Sequence, residues 1–206
     1  MRSAFNTFTL ALMPIAIVID IVLGQLVNLL SLPLYLDNIG TIMVGVLAGP
    51  VGGAITGLLS GVIRSLLFDL NALWFAPVGL VVGILAGIFG ARSWLRKRKR
   101  PTLVLFGGLL TGLVAALVRV IPYAVNRLPE HSMDLLLPYF KNLVSNPVGA
   151  YLSQGIVFDP LDKIISYLAV FLILTRFRRR LLVRFPQGTA TARARRRPLI
   201  GHVDDD

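Results

Sequence analysis

The stretch that decides the fold is residues 8–30, which reads FTLALMPIAIVIDIVLGQLVNLL. It runs for 23 residues and carries a single charged side chain, Asp20. A helix needs about 20 mostly apolar residues to cross the hydrocarbon core of a bilayer, so this stretch predicts a transmembrane helix. We expect it to remain in the mature protein, because only Arg2 precedes it as a basic residue and no small-residue cleavage site follows it.

Five more apolar stretches follow the first one. The second and third could be taken as one helix over 36–68, but that helix would be about 50 Å long, too long for a hydrocarbon core of about 30 Å. Proline and clustered glycines at 49–53 predict a tight turn within it. We therefore predict an all-α integral membrane bundle of six transmembrane helices in residues 1–177. The spans are expected at 8–30, 36–48, 51–68, 73–91, 102–123 and 161–177.

The composition excludes several other classes of protein. Hydrophobic residues make up 55% of the 206 residues and charged residues 15%, against about 25% charged in an average soluble domain. A soluble globular domain and an intrinsically disordered chain are both excluded by this balance. The chain has no cysteine, which excludes disulfides, thiolate metal ligands and cysteine nucleophiles.

The basic residues predict the orientation of the bundle. Of the 21 lysines and arginines, 16 fall at Arg2, in 92–100 or in 176–197. Because cytoplasmic loops are enriched in lysine and arginine, we expect both termini in the cytoplasm of a multi-pass cell-membrane protein. Residues 178–206 are predicted to be a basic, disordered cytoplasmic tail. A net charge of +11 would suggest nucleic acid in a soluble protein, but here we expect membrane lipid as the partner and no nucleic acid.

Glycine recurs every four residues from the second stretch, through the turn, and along the third stretch. This spacing places glycines on one helix face, where they let neighbouring backbones approach closely. Two interpretations stay open: the face packs inside the bundle, or it contacts a partner membrane protein. The residues concerned are Gly45, Gly49, Gly53, Gly57 and Gly61, with shorter series at 79–87 and 108–112.

Polar residues gather toward one side of the predicted membrane. Arg64 and Arg119 lie next to small-residue helix faces, and Lys163 follows Asp159 by one helical turn. Charges inside a membrane mark function by default, although snorkelling to the interface is the alternative explanation. We predict an outward-facing binding pocket in which excess positive charge attracts an anionic group and Trp74 stacks on a planar ring. The predicted substrate-binding residues are Arg64, Arg119, Lys163, Asp37, Asn38, Asn71, Trp74 and Asn126.

Catalytic signatures are absent from the sequence. It contains no GxSxG, HExxH or phosphate-binding GxxxxGK[ST] motif, and we expect neither an enzyme nor a bound cofactor or metal. The proline-containing connection 124–160 is long, and connections of this length are usually lids or binding loops. We expect it to lie outside the membrane.

Several motifs resemble the substrate-binding S components of energy-coupling factor (ECF) transporters. They are LPLYLDNIGT at 32–41, AGPVGG at 48–53, FAPV at 75–78, GILAG at 83–87 and FDPLDKII at 158–165. The resemblance implies a six-helix protein that captures a vitamin or related micronutrient for uptake. It also implies a transmembrane coupling subunit and two cytoplasmic ATPases as partners. Ala11 and Ala16 are five residues apart and do not form the family's Ala-x-x-x-Ala motif, so the glycine series is the candidate contact face.

A second function of another class stays open. A membrane module that senses a small-molecule ligand and signals to a partner protein would need the same pocket. We expect it less than transport, because the stretch after residue 177 is short and basic and carries no output domain. Neighbouring genes for ATPases or for kinases would discriminate between the two.

Overall fold

The computed structural model describes residues 5–32, 34–91, 101–126 and 136–188. These residues form eight α-helices, one 3-10 helix and no strand. The α-helices are α1 (Thr7–Leu29), α2 (Ile39–Ala48), α3 (Pro50–Phe68), α4 (Ala76–Ala91), α5 (Pro101–Asn126), α6 (Leu137–Leu143), α7 (Pro147–Arg176) and α8 (Arg179–Leu182), and the 3-10 helix is Leu70–Phe75.

Four of the described helical segments are long and apolar enough to cross a membrane. They are Thr7–Leu29, Pro50–Phe68, Ala72–Ala91 and Thr102–Val125. α7 is also long enough, since its 30 residues extend about 45 Å, but it carries three charged residues near its middle. The described part of the chain is therefore all-helical, and the protein is a multi-pass membrane protein.

The second predicted span differs from the observed helix. α2 begins only at Ile39 and has 10 residues, so it extends about 15 Å, half the thickness of a hydrocarbon core. Nine of its residues are buried inside the protein. The segment before it is not helical, and Leu36 adopts a left-handed backbone conformation with φ of 46°. α2 is thus a half-length helix enclosed by the other helices.

The turn predicted at the glycine and proline cluster is confirmed. Gly49 separates α2 from α3 with φ of 105°, a conformation that residues with a Cβ rarely adopt. The two helices then fold back on each other. A Cβ on Gly53 would lie 2.8 Å from Cα of Gly45, and a Cβ on Gly57 would lie 2.9 Å from the Thr41 methyl. The pairing is symmetrical about Gly49 and defines an antiparallel hairpin.

The bundle has two ends, which we name by their residues. The basal end holds Asn6, Gly49 and Ala91, and the distal end holds Leu29, Phe68 and Tyr123. α3 and α4 run antiparallel in close contact, because Gly53 faces Gly83 and Gly57 faces Gly79 across the interface. α5 and α7 make a second tight pair, in which Gly108 contacts Ile164 and Gly112 contacts Pro160.

The last described segment packs against the basal end. Leu182 and Phe185 are buried in the main hydrophobic core beside Val46, Leu47 and Phe89. The sequence prediction assigned these residues to the tail, which the structure describes only as far as Gly188. The remainder of that tail, the basic run at 92–100 and residues 127–135 lie outside the described part of the chain.

The connection predicted at 124–160 is largely helical. α5 continues to Asn126, α6 occupies Leu137–Leu143, and α7 begins at Pro147 instead of at residue 161. Pro147 suits the first turn of a helix, and the Asn146 side chain accepts a hydrogen bond from the Val148 amide. Pro160 lies within the helix and not at its start. The prediction that 124–160 forms one long loop is therefore wrong for the described residues of this stretch.

Candidate ligand cavity

A cavity of about 110 Å³ lies in the distal half of the bundle. A water molecule needs at least about 10–15 Å³ on this measure, so the cavity accommodates a small molecule or several waters. Residues from α1, α3, α4, α5, α7 and the segment before α2 line it. It reaches the distal surface beside Asp37 and the exposed Asp69.

Asp20 forms the floor of the cavity. It is buried in the middle of α1 and accepts hydrogen bonds from the backbone amides of Gly40 and Thr41, at 2.7 and 3.0 Å. These amides are the free donors of the first turn of α2, where the helix dipole favours a negative charge. The Thr41 and Ser60 hydroxyls also donate to Oδ2 of Asp20, at 2.6 and 3.2 Å. Asp20 therefore joins α1, α2 and α3 at mid-bundle.

Asp37 and Arg64 form an ion pair at the mouth of the cavity. Nη1 of Arg64 lies 2.6 Å from Oδ2 of Asp37, and the side chains are 11% and 22% exposed. Oδ1 of Asp37 also accepts a hydrogen bond from the Asn38 amide group. Gly24 of α1 lies against both side chains of the pair. This pair is thus the most accessible of the ionic contacts that line the cavity.

Lys163 pairs with Asp162, its neighbour in sequence. Nζ of Lys163 lies 2.5 Å from Oδ2 of Asp162 and 4.0 Å from Oδ1 of Asp37. Oδ1 of Asp162 accepts hydrogen bonds from the backbone amides of Tyr35 and Leu36. The left-handed conformation of Leu36 brings these successive amides onto one acceptor. The sequence suggested Asp159 as the partner of Lys163; Asp159 pairs elsewhere.

Arg119 and Asp159 form the most buried ion pair of the site. Nη1 of Arg119 lies 2.8 Å from Oδ1 of Asp159, with side chains only 5% and 3% exposed. The same nitrogen donates to the Tyr35 hydroxyl at 2.7 Å. The guanidinium lies over the Tyr151 ring at 4.4 Å, and that ring stacks on Tyr123. Two aromatic residues and a carboxylate therefore fix Arg119 in place.

The charges that line the cavity compensate one another. Three cations, Arg64, Arg119 and Lys163, face four carboxylates, Asp20, Asp37, Asp69 and Asp159. Each of the three cations lies within 4.0 Å of a carboxylate. The expected excess of positive charge is therefore not found. The excess was inferred because the fold brings more acidic side chains to the three cations than helical spacing alone indicates.

The structure brings five of the eight predicted binding residues to this cavity. They are Arg64, Arg119, Lys163, Asp37 and Asn38. Trp74 is not among the lining residues and is 53% exposed, whereas its neighbour Phe75 lines the cavity. The side chains of Asn71 and Asn126 lie outside the described part of the structure.

The predicted glycine series lies inside the protein. Four of its members contact helices of the same bundle: Gly45, Gly53 and Gly57 meet the backbone of α4, and Gly61 meets Ala76. Gly49, at the turn, faces the side chain of Gln187. This geometry fits packing inside the bundle and not a contact face for a partner membrane protein.

Sequence reasoning missed three uncharged polar side chains that line the cavity. Tyr35, Ser60 and Tyr151 are uncharged, and their positions in an apolar sequence carry no signal that separates them from packing residues. Tyr35 precedes α2 in the non-helical segment, whose path depends on its contacts with α7 and α5. A systematic search for polar residues near the predicted intramembrane charges would have found Ser60, which lies one turn before Arg64.

Comparison with known proteins changes the functional assignment. The family model described as 5TMR of 5TMR-LYT matches residues 4–136, more than half of the chain. No curated protein and no solved structure matches the chain. The resemblance to ECF S components is therefore wrong, and with it the prediction of vitamin uptake with a coupling subunit and two ATPases. The shared features were general ones, namely short apolar helices joined at glycine and proline turns.

The matched family consists of membrane sensor modules and not of transport subunits. A small cavity enclosed by compensated charges, in a bundle of apolar helices, is consistent with that description. The chain belongs to the 5TMR-LYT family, the five-transmembrane receptors of LytS-type histidine kinases.

Proposed function

We propose that this protein is a membrane receptor module that binds a small polar ligand in the distal cavity and reports its presence to a histidine kinase. The observation that carries the proposal is the set of ion pairs around the cavity, since buried charges in a membrane protein are costly and mark functional sites. The family match supports the signalling partner. The proposed role is sensing and not catalysis.

The proposed topology has the distal cavity facing outward. Arginines at 176, 178, 180 and 184 lie at the basal end, and the basic run 92–100 connects the basal ends of α4 and α5. By the positive-inside rule the basal end faces the cytoplasm. The chain then passes the membrane six times. Five passes are made by the long helices α1, α3, α4, α5 and α7, and the sixth by the non-helical segment together with the half-length α2.

The proposed ligand is a small zwitterion. An anion entering the cavity would compete with carboxylates that already hold the cations, and would leave one of them without a partner. Breaking a buried pair in this way costs about 3–5 kcal/mol. A ligand that carries both charges replaces both partners of the accessible Asp37–Arg64 pair at once, so neither side chain loses its counter-charge.

Ligand binding is tested by thermal unfolding of the purified protein in detergent. The compounds are three sets of matched size: amino-acid zwitterions, monocarboxylates and primary amines. We expect a zwitterion to raise the unfolding midpoint, and Arg64→Gln and Asp37→Asn each to weaken its binding at least about tenfold, as expected for the loss of a charged contact. Lys141→Gln, which removes an exposed cation outside the cavity, is the matched control.

Two results would contradict the proposed ligand or site. Equal stabilisation by monocarboxylates would exclude the zwitterion as the preferred class. Undiminished binding by both cavity variants would exclude the cavity as the site. Signalling is measured separately, as ligand-dependent autophosphorylation of the associated histidine kinase in isolated membranes, and we expect Arg64→Gln to abolish the ligand response.

A further inference from the structure

The half-length helix α2 connects the ligand cavity to the basal end of the bundle. Its first turn lies at the cavity floor, where the Gly40 and Thr41 amides donate to Asp20. Its cap residue Asn38 and the preceding Asp37 line the cavity. Because an α-helix rises about 1.5 Å per residue, the ten residues of α2 place its far end about 15 Å away.

The far end of α2 contacts the C-terminal segment, which we define as residues 179–188. The Gln187 amide donates a 2.9 Å hydrogen bond to the Leu47 carbonyl, one of the carbonyls that a helix end leaves without an internal partner. The Gln187 side chain lies against Gly49 and Gly90. The segment thus occupies the basal surface of the α2–α3 turn.

The same segment also contacts the start of α1. The Asn6 side chain donates to the Arg184 carbonyl at 2.5 Å. The Arg184 guanidinium lies over the Phe8 ring, and Phe185 meets the edge of that ring. Leu182 and Phe185 are buried in the core that contains Val46 and Leu47 of α2. The C-terminal segment is therefore held by α1 and α2, two of the three helices that meet at Asp20.

We propose that α2 transmits ligand occupancy to the C-terminal segment. The inference rests on the proposed sensing function and assigns its regulation. Exchange of the Asp37–Arg64 pair with a ligand displaces Asp37 and Asn38, the two residues that precede α2. Because α2 is packed on all sides and cannot absorb the displacement by bending into solvent, the shift reaches the Leu47–Gln187 contact and changes how firmly the segment is docked.

The docking of the segment is measured by thiol labelling. The natural chain has no cysteine, so Leu182→Cys introduces a single thiol at a site only 1% exposed. Its reaction with a water-soluble maleimide, in membrane vesicles without added ligand, reports transient release of the segment. Val183→Cys, which is 38% exposed, reports the rate for an accessible thiol.

Two matched substitutions remove hydrogen bonds to Asp20, one from α2 and one from α3, and so distinguish the role of α2 from that of its neighbour. Thr41→Val removes the hydroxyl bond from α2 to Asp20, and Ser60→Ala removes the corresponding bond from α3. We expect Thr41→Val to speed labelling of Leu182→Cys by about fivefold, the change expected for one hydrogen bond, and Ser60→Ala to change it by less than about twofold. Asp20→Asn should also speed the labelling of Leu182→Cys. If Asp20→Asn fails to fold, the comparison of Thr41→Val with Ser60→Ala still tests the proposal.

The reverse direction follows because coupling between two sites is reciprocal. Gln187→Pro removes the amide that bonds to Leu47, whereas Gln187→Ala keeps it. We expect Gln187→Pro to speed labelling of a thiol at the cavity, Asn38→Cys, by several-fold more than Gln187→Ala does. Equal effects within either matched pair would overturn the proposal. Zwitterion binding to the Leu182→Cys protein is measured in parallel, so a failure of coupling is distinguished from a failure of ligand binding.

Discussion

Arg119 is the residue whose removal should be most costly, because its partner Asp159 is as deeply buried as it is. Arg119→Ala leaves this carboxylate without a counter-charge, which costs about 3–5 kcal/mol for a buried pair. We expect a clear fall in the thermal unfolding midpoint in detergent. Adding Asp159→Asn to Arg119→Ala should recover much of the loss.

A surface variant serves as the control for the loss of charge. Lys141→Gln removes an exposed cation and should leave the midpoint unchanged. If Arg119→Ala proves as stable as the natural protein, then the arginine reaches the membrane interface and the buried pair does not form.

The sequence placed Arg119 on the face of Gly108 and Gly112, and that placement is confirmed, since both glycines and Arg119 contact α7.

The ion-pair partner of each charged residue was harder to predict than the helix face on which the residue lies. The four-residue spacing favoured Asp159 as the partner of Lys163, but Lys163 contacts Asp162. Helical spacing determines which side chains share a face, and it carries no information on a neighbouring helix that competes for the same carboxylate. Arg119 on α5 takes Asp159, and the amides of Tyr35 and Leu36 hold Asp162. Such competition becomes visible only when the helices are assembled.

At the scale of elements, the glycine interface between α3 and α4 has no room for a methyl group. A Cβ on Gly57 would lie 2.1 Å from the Gly79 carbonyl oxygen, a backbone atom that cannot move aside alone. We expect Gly57→Ala to separate the helices and to lower the unfolding midpoint strongly. Gly107→Ala is the matched control, because its Cβ would meet only side-chain atoms at 3.5 Å or more.

The contrast between these two glycines is measured by unfolding in detergent and by the amount of folded protein recovered. Similar behaviour of both variants would mean that α3 and α4 do not approach as closely as the structure shows. Overpacking typically costs about 1–3 kcal/mol and more where backbone must shift. The Gly107 variant should stay within about 1 kcal/mol of the natural protein.

The helices also show how much of the fold a hydropathy pattern predicts. The positions of α1, α4 and α5 follow from apolar length within a few residues, and the start of α3 follows from the proline and glycine cluster at 49–53. The second span was predicted at 36–48, whereas α2 begins only at Ile39, because the Tyr35 and Leu36 amides bind Asp162 of α7, a contact that local composition does not record. α7 was predicted to start at residue 161, because Pro160 was assigned to the connection before it. A proline within a membrane helix is tolerated where neighbouring helices compensate.

For the whole molecule, the topology makes a direct prediction. Reporter fusions after Gly49, Arg100 and Phe185 should read as cytoplasmic, and a fusion near Glu130 should read as external, because the basic residues concentrate at the basal end. Fusion activity in intact cells measures this. An external reading at Gly49 would show that the chain does not return across the membrane between α1 and α3, and would remove the basis for an outward-facing cavity.

The half-length helix has a consequence for how the protein is made. A ten-residue helix is too short to be released into lipid by the insertion machinery as an independent unit. α2 must therefore enter together with α3, as the hairpin closed at Gly49. Until it arrives, Asp20 has no amide donors from α2, and a charged residue in the middle of a helix enters lipid poorly. Biogenesis should accordingly hold α1 at the insertion site until α3 has emerged from the ribosome, so that the first three helices enter the bilayer as one cooperative step.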